Sequence, residues 1–119
     1  MDDYITDELQ EALRPIASLI SKSEKAQQKL VPGTWQHMML RDNLKALHIA
    51  SALISKEIGG SDSFTQDDLQ EALRAFASMI SKTKKAQARS SPGTSQHTLL
   101  QNRLKALHIA EALIKGGVG

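Results

Sequence analysis

The feature that most constrains the fold is a repeat of the sequence at an offset of 60 residues. The run KALHIA at 45–50 returns unchanged at 105–110. About two thirds of positions 7–54 are identical to positions 67–114, with no insertion or deletion. Two copies are too few for a solenoid, which stacks three or more repeats. The chain is therefore interpreted as a dimer of one unit written as a single chain.

Each copy contains two amphipathic helical segments separated by Pro-Gly-Thr. The apolar stripe of the second segment is too wide for one partner helix to cover, so each copy needs the other to close a core. Pro-Gly ends the first segment, and threonines are the expected N-caps: Thr6, Thr34, Thr65 and Thr94. We predict an all-α fold, a four-helix bundle of two tandem-duplicated antiparallel hairpins, with helices near 6–30, 34–57, 65–89 and 94–115.

The length of 119 residues suits one domain spanning 1–119. Within it we expect hairpin repeat 1 at 4–58, a Gly-Gly-Ser linker at 59–63 and hairpin repeat 2 at 64–118. Two-glycine linkers occur naturally, and they are also how a designer would join a homodimer. The sequence thus predicts an engineered, de novo or recently duplicated protein. A monomer is favoured, with a domain-swapped dimer as the alternative.

Composition excludes several classes of protein. The formal charge is only +2, no apolar run approaches the roughly 20 residues of a membrane span, and the N-terminus is acidic rather than signal-like. We expect a soluble, cytoplasmic protein that binds neither membrane nor nucleic acid. With no cysteine, disulfides and thiolate zinc sites are excluded. The basic residues near the ends of the first and third helices are read as complements to the helix dipole.

The two copies differ at positions in the apolar stripes of the helical wheel or at the ends of the loops. Outward-facing residues such as Gln10, Arg14 and Lys45 are retained. The changes, given as first copy then second, are Ile16 and Phe76, Leu19 and Met79, Leu30 and Ser90, Val31 and Ser91, Trp35 and Ser95, Met38 and Thr98, Met39 and Leu99, and Ser51 and Glu111. One interpretation is compensating volumes in a filled core. The other is an asymmetric cavity.

The leading functional hypothesis is that the asymmetric cavity is an interior pocket that binds a small, mostly apolar and aromatic molecule. Its expected lining is Ile16, Leu19, Trp35, Met38, Phe76, Met79, Ser95 and Thr98. The alternative is a structural or protein-interaction scaffold with a filled core. Another interpretation takes Ser90, Ser91, Ser95 and Thr98 as residues of a solvent-exposed loop with no role in binding.

Glu111 is the candidate catalytic residue. Its counterpart Ser51 lies within the apolar stripe, so a partly desolvated carboxylate there would be a stronger base, suited to proton abstraction from carbon. The competing interpretation is an ion pair with Lys115, four residues on. Whether the protein is an enzyme stays open at this stage. No cofactor is implied, and no metal site is expected, since the histidines of each copy lie eleven residues apart, roughly 16 Å along a helix.

Overall fold

Four helices make up the fold. The computed structural model describes residues 6–58 and 64–118, and in these ranges it contains α1 (Thr6–Gln28), α2 (Trp35–Ile58), α3 (Gln66–Arg89) and α4 (Ser95–Gly117), with no strand. The prediction of an all-α four-helix protein is confirmed, and the helix bounds agree within two residues. The expected linker at 59–63 lies outside the described residues.

Threonine caps start three of the helices. The Thr65 hydroxyl accepts a hydrogen bond from the Asp68 backbone N–H, and the Asp68 carboxylate accepts one from the Thr65 N–H, which is a full capping box. Thr34 and Thr94 accept from the backbone N–H groups three residues on. The first helix differs from expectation, because Thr6 is its first helical residue rather than its cap. The position before it lies outside the described residues.

The connections within the two hairpins are built alike. Each contains a glycine with positive φ, 90° at Gly33 and 86° at Gly93. In this region a side chain would clash with the backbone, so glycine is favoured. The threonine that follows donates its hydroxyl to a carbonyl three residues earlier, at 2.8 Å in the first hairpin and 2.7 Å in the second. The Pro-Gly-Thr sequence therefore reverses the chain in the same way in both copies.

The helices form a ring in chain order, with one contact across it. Neighbours in the chain pack against each other, α1 closes the ring against α4, and α2 also touches α4 across the diagonal. Two contacts show that both hairpin turns lie at the same end. Gln27 reaches the His37 carbonyl within the first hairpin, and Lys82 Nζ lies 3.2 Å from Met39 Sδ between hairpins. The result is a bundle of 39 × 34 × 20 Å.

The core occupies one half of the bundle. We call residues 21–43 and 81–103 the loop half, and the remaining described residues the linker half. Every buried residue except Thr83 and Leu100 belongs to the linker half. The buried Thr83 hydroxyl donates to the Met79 carbonyl at 2.8 Å. Among the described residues no buried side-chain nitrogen or oxygen lacks a hydrogen-bond partner, as is usual in the interior of a folded protein.

Several alanines lie on the buried faces of α2 and α4, the two helices that touch across the diagonal. Ala46 and Ala50 on α2, and Ala106 and Ala110 on α4, are all at most 2% exposed. Small side chains let two helices approach closely and pack at the density of a protein interior. Larger apolar residues, Leu47 and Leu107 among them, belong to the same core cluster. The wide stripes of α2 and α4 are thereby covered by each other as well as by their ring neighbours.

Pro15 lies inside α1, and its counterpart in α3 is Ala75. Proline has no N–H, so the helical hydrogen bond to the Glu11 carbonyl is missing.

We expect Pro15→Ala to raise the free energy of unfolding by about 1–3 kcal/mol. This is the helix stability regained, less the conformational freedom that the substitution adds to the unfolded chain. Urea denaturation followed by circular dichroism measures it. The mirror substitution, Ala75→Pro, is the control and should lower stability by about 3 kcal/mol. A destabilised Pro15→Ala variant would contradict this account.

The first hairpin alone should associate with itself. Leu44, Leu47 and Ile54 on α2 are buried in a bundle that the second hairpin completes. A fragment of residues 1–58 would expose that surface, and large exposed apolar patches drive association. We expect light scattering to give about twice the mass of the fragment. A well-folded monomeric fragment would show that one hairpin is self-sufficient.

Candidate functional site

Half of the predicted pocket lining lies together in the core. Ile16 and Phe76 are 0% exposed, and Met79 is also buried in the same apolar cluster. Leu19 is half-buried and packs against that cluster. The copy differences at these positions therefore fall among packed side chains. Ile16 and its counterpart Phe76 have no surface open to solvent.

The other half lies on the surface, contrary to the expectation of an interior position. Trp35 is 72% exposed and Met38 is 44% exposed, while Ser95 and Thr98 are also exposed. The reason is their depth along the helix. All four lie in the first turn of α2 or α4, in the loop half, beyond the part of each helix that the core covers. A helical wheel gives the direction of a side chain and not its distance from the packed region.

The hydroxyl residues of the second hairpin are used by the turn or face solvent. The Ser90 hydroxyl donates to the Gln87 carbonyl at 2.7 Å. Since that uses its only hydrogen, it accepts from His97 Nδ1, 2.8 Å away. Ser91, with Ser95 and Thr98, is exposed. Leu30 takes the place of Ser90 in the first hairpin, so the contact to the histidine exists in one copy only.

Glu111 is half-buried on α4, between a histidine and a lysine. Its Oε1 atom lies 3.8 Å from Lys115 Nζ and 3.9 Å from His108 Nδ1. The pairing with Lys115 is the competing interpretation from the sequence. Ser95 lies sixteen residues earlier on the same helix, which is about 24 Å at 1.5 Å per residue. One small molecule therefore cannot touch both Glu111 and the hydroxyl residues at the start of α4.

No metal centre is formed by the part of the chain that the structure describes. Within residues 6–58 and 64–118, no group of three or more histidine and acidic side chains is placed to hold an ion. His48 and His108 are exposed, and His97 is tied to Ser90. None of the described helices is long and apolar enough to cross a membrane.

Two surface grooves repeat at equivalent positions of the copies. One, of about 410 Å³, lies between α2 and α3, and the other, of about 310 Å³, lies between α1 and α4. All nine residues that line the smaller groove have their counterparts, 60 positions away, in the lining of the larger one, such as Lys105 and Lys45. The hairpins thus pack with approximate two-fold symmetry. We call the two grooves the α2–α3 groove and the α1–α4 groove.

An ion-pair cluster crosses the α2–α3 groove in the linker half. Lys45 Nζ lies 3.3 Å from Asp68 and 3.6 Å from Glu71. The hydrogen bond to Asp68, with the charge of Glu71, raises the pKa of Lys45. The same hydrogen bond and those from Thr65 lower the pKa of Asp68. The contact thus favours the folded state at neutral pH and is lost as the pH falls through the pKa of Asp68.

Large apolar side chains are exposed at the tip of the first hairpin. Val31 is 68% exposed and is followed by Trp35 and Met38. We call these three residues the apolar tip. The corresponding residues of the second hairpin are Ser91, Ser95 and Thr98. The two tips therefore differ in polarity on a surface, and not in the interior.

Sequence reasoning identified Trp35 and Met38 but assigned them to the interior, and it did not single out Val31 as a functional residue. One signal could have located them. All three follow or directly flank Pro32-Gly33, and residues at a turn rarely face a bundle core. Leu99, 44% exposed at the start of α4, carries the same signal.

Comparison with known proteins finds no related sequence or fold. No protein-family model, characterised protein or solved structure matches this chain. Functional inference therefore rests on the geometry of the chain itself.

Truncation of a side chain should lower the free energy of unfolding strongly in the core and hardly at all in the apolar tip. Phe76→Ala should lower the free energy of unfolding by about 3–5 kcal/mol, because it removes a fully buried ring. Trp35→Ser should change it by no more than about 0.5 kcal/mol, because the ring is mostly solvated. Urea denaturation followed by circular dichroism measures both. A large loss of stability in Trp35→Ser would mean that the indole is packed in the interior.

Proposed function

We propose that this protein is a non-catalytic protein-interaction module that binds a partner through the apolar tip of its first hairpin. The observation that carries the proposal is the exposure of Val31, Trp35 and Met38 on a bundle whose apolar core does not include them. Tryptophan and methionine are enriched at protein interfaces, and exposed tryptophans are frequent hot spots of binding energy. The repeat at an offset of 60 residues further supports a single-chain hairpin dimer, made by design or by recent duplication.

The hypothesis of an interior small-molecule pocket has less support. Four of its eight residues are exposed, and Ile16 and Phe76 are closed to solvent. General-base catalysis by Glu111 would need a substrate beside a carboxylate that already lies between His108 and Lys115. The scaffold hypothesis needs no such opening of the core.

The second hairpin supplies a matched test of the proposal. The variant Val31→Ser, Trp35→Ser, Met38→Thr gives the first tip the residues of the second, and we call it the polar-tip variant. Helical peptides selected from a phage library on the native protein should bind the polar-tip variant at least about 30-fold more weakly. That factor corresponds to the roughly 2 kcal/mol lost when a hot spot is truncated.

The reciprocal transfer is the positive control. Ser91→Val, Ser95→Trp and Thr98→Met, introduced into the polar-tip variant, should restore binding at the second hairpin. Anisotropy of the labelled peptides gives the dissociation constants, and circular dichroism checks the fold. Peptides that bind the native protein and the polar-tip variant equally well would contradict the proposal.

A further inference from the structure

Large apolar residues of α2 lie at the loop-half end of the α2–α3 groove. Trp35, Met38 and Met39 are spaced i, i+3 and i+4 along α2, which places them on neighbouring positions of one helix face. Met39 and Asp42 line the groove itself. The apolar tip therefore continues the groove toward the hairpin turns.

Three basic residues of α3 follow the residues that line the groove, in the direction of the hairpin turns. Lys82, Lys85 and Arg89 are spaced i, i+3 and i+7 on α3, and all three are exposed. The 3.2 Å contact of Lys82 Nζ with Met39 Sδ brings this face of α3 against α2. We call these three residues the α3 basic wall.

The charges of the α3 basic wall are not neutralised by the described chain. None of its three residues forms an ion pair with another described residue. In the linker half of the groove, by contrast, Lys45 is paired with Asp68 and Glu71. The loop half as a whole carries nine Lys or Arg against two carboxylates, a formal +7, whereas the linker half carries six against eight. The chain is therefore strongly polarised, with its positive end at the apolar tip.

The α1–α4 groove provides an internal comparison. Lys22, Lys25 and Lys29 repeat the basic wall on α1. The α4 side of that groove begins instead with Ser95 and Thr98, followed by Leu99. The two grooves thus share positive charge and differ in apolar surface. A partner that needs both features would occupy the α2–α3 groove alone.

We propose that the partner presents an acidic amphipathic helix, which lies in the loop half of the α2–α3 groove. Its apolar face covers Trp35, Met38 and Met39, and its acidic edge faces Lys82, Lys85 and Arg89. This rests on the proposed interaction function and deepens it. Amphipathic helices dock into apolar grooves through i, i+3, i+4 and i+7 anchors, and methionine adapts to such surfaces. Complementary charge fixes the orientation and speeds association.

The geometry favours a helix over the other anionic partners. A flat lipid surface approached by this end would meet the polar second tip, with Ser91, Ser95 and Thr98, as well as the apolar first tip. Binding of single-stranded nucleic acid relies on successive aromatic side chains for stacking, and Trp35 is the only tryptophan in the chain. A groove with one apolar and one basic side matches the two faces of an acidic amphipathic helix.

The test uses synthetic peptides of about 14 residues with leucines at helical spacing. In the first peptide the flanking positions are glutamate, in the second glutamine and in the third lysine, and all are fluorescein-labelled for anisotropy. Trp35 fluorescence reports binding at the apolar tip, because burial of the indole shifts its emission to the blue. Anionic lipid vesicles and a single-stranded oligonucleotide are tested alongside.

Two charge-reversal variants discriminate a local effect from the net charge. Lys82→Glu, Lys85→Glu and Arg89→Glu alter the α3 basic wall, whereas Lys22→Glu, Lys25→Glu and Lys29→Glu make the same change in net charge at the equivalent positions of α1. We expect the glutamate peptide to bind the native protein with a blue shift of Trp35. Reversal on α3 should weaken it by about tenfold or more, and reversal on α1 by less than about threefold. The glutamine peptide should bind more weakly than the glutamate peptide, and the lysine peptide most weakly.

Each other outcome overturns a defined part of the argument. Equal binding of the glutamate and glutamine peptides, unaffected by reversal on α3, would leave the apolar docking function in place and overturn the acidic partner. Equal losses from the two reversals would overturn the α2–α3 groove as the site. Binding of vesicles or oligonucleotide, with none of the peptides, would overturn both the acidic helix and the interaction function. Failure of the glutamate peptide alone, with library peptides still dependent on the apolar tip, would overturn only the acidic helix.

Discussion

The structure depends on the contact of α2 with α4 across the diagonal of the bundle. In each hairpin the second helix carries an apolar stripe wider than its own partner helix can cover. Ala50 and Ala110, both 0% exposed, lie on the buried faces of these two helices, which touch across the diagonal. The remaining helices then close the ring. Because hydrophobic burial is the main favourable contribution to folding and one core cluster draws on both hairpins, we expect the two hairpins to unfold as one cooperative unit.

In that arrangement the loop half contributes little to the buried core. Its buried residues are Thr83 and Leu100, and the turns are held by local hydrogen bonds of Thr34 and Thr94. Surface positions tolerate substitution far better than packed ones, so the loop half could diverge between copies at small cost in stability. The proposed function rests on the differences at the tips, which are exposed, and not on those in the core, such as Ile16 against Phe76.

The approximate two-fold symmetry gives the molecule two grooves, and the sequence makes them unequal. Both have a basic side in the loop half, yet only the α2–α3 groove has Trp35 and Met38 on the other side. A symmetric pair of sites would bind two partners or bridge them. With one apolar tip, the proposed interaction is one partner to one chain. The second hairpin then serves chiefly to complete the core.

The sequence by itself determined the all-α class, the four helices, their bounds within two residues and the turn chemistry of Pro-Gly-Thr. These are local properties, set by periodicity and capping within a few residues of each position. Only the tertiary structure decided which side chains are buried. Trp35 and Leu47 lie on the same helix, but one is 72% exposed and the other 0%, since the hairpins pack in the linker half and not at the tips. Burial is determined by contacts between distant segments, and a helical wheel carries no measure of how far along a helix those contacts extend.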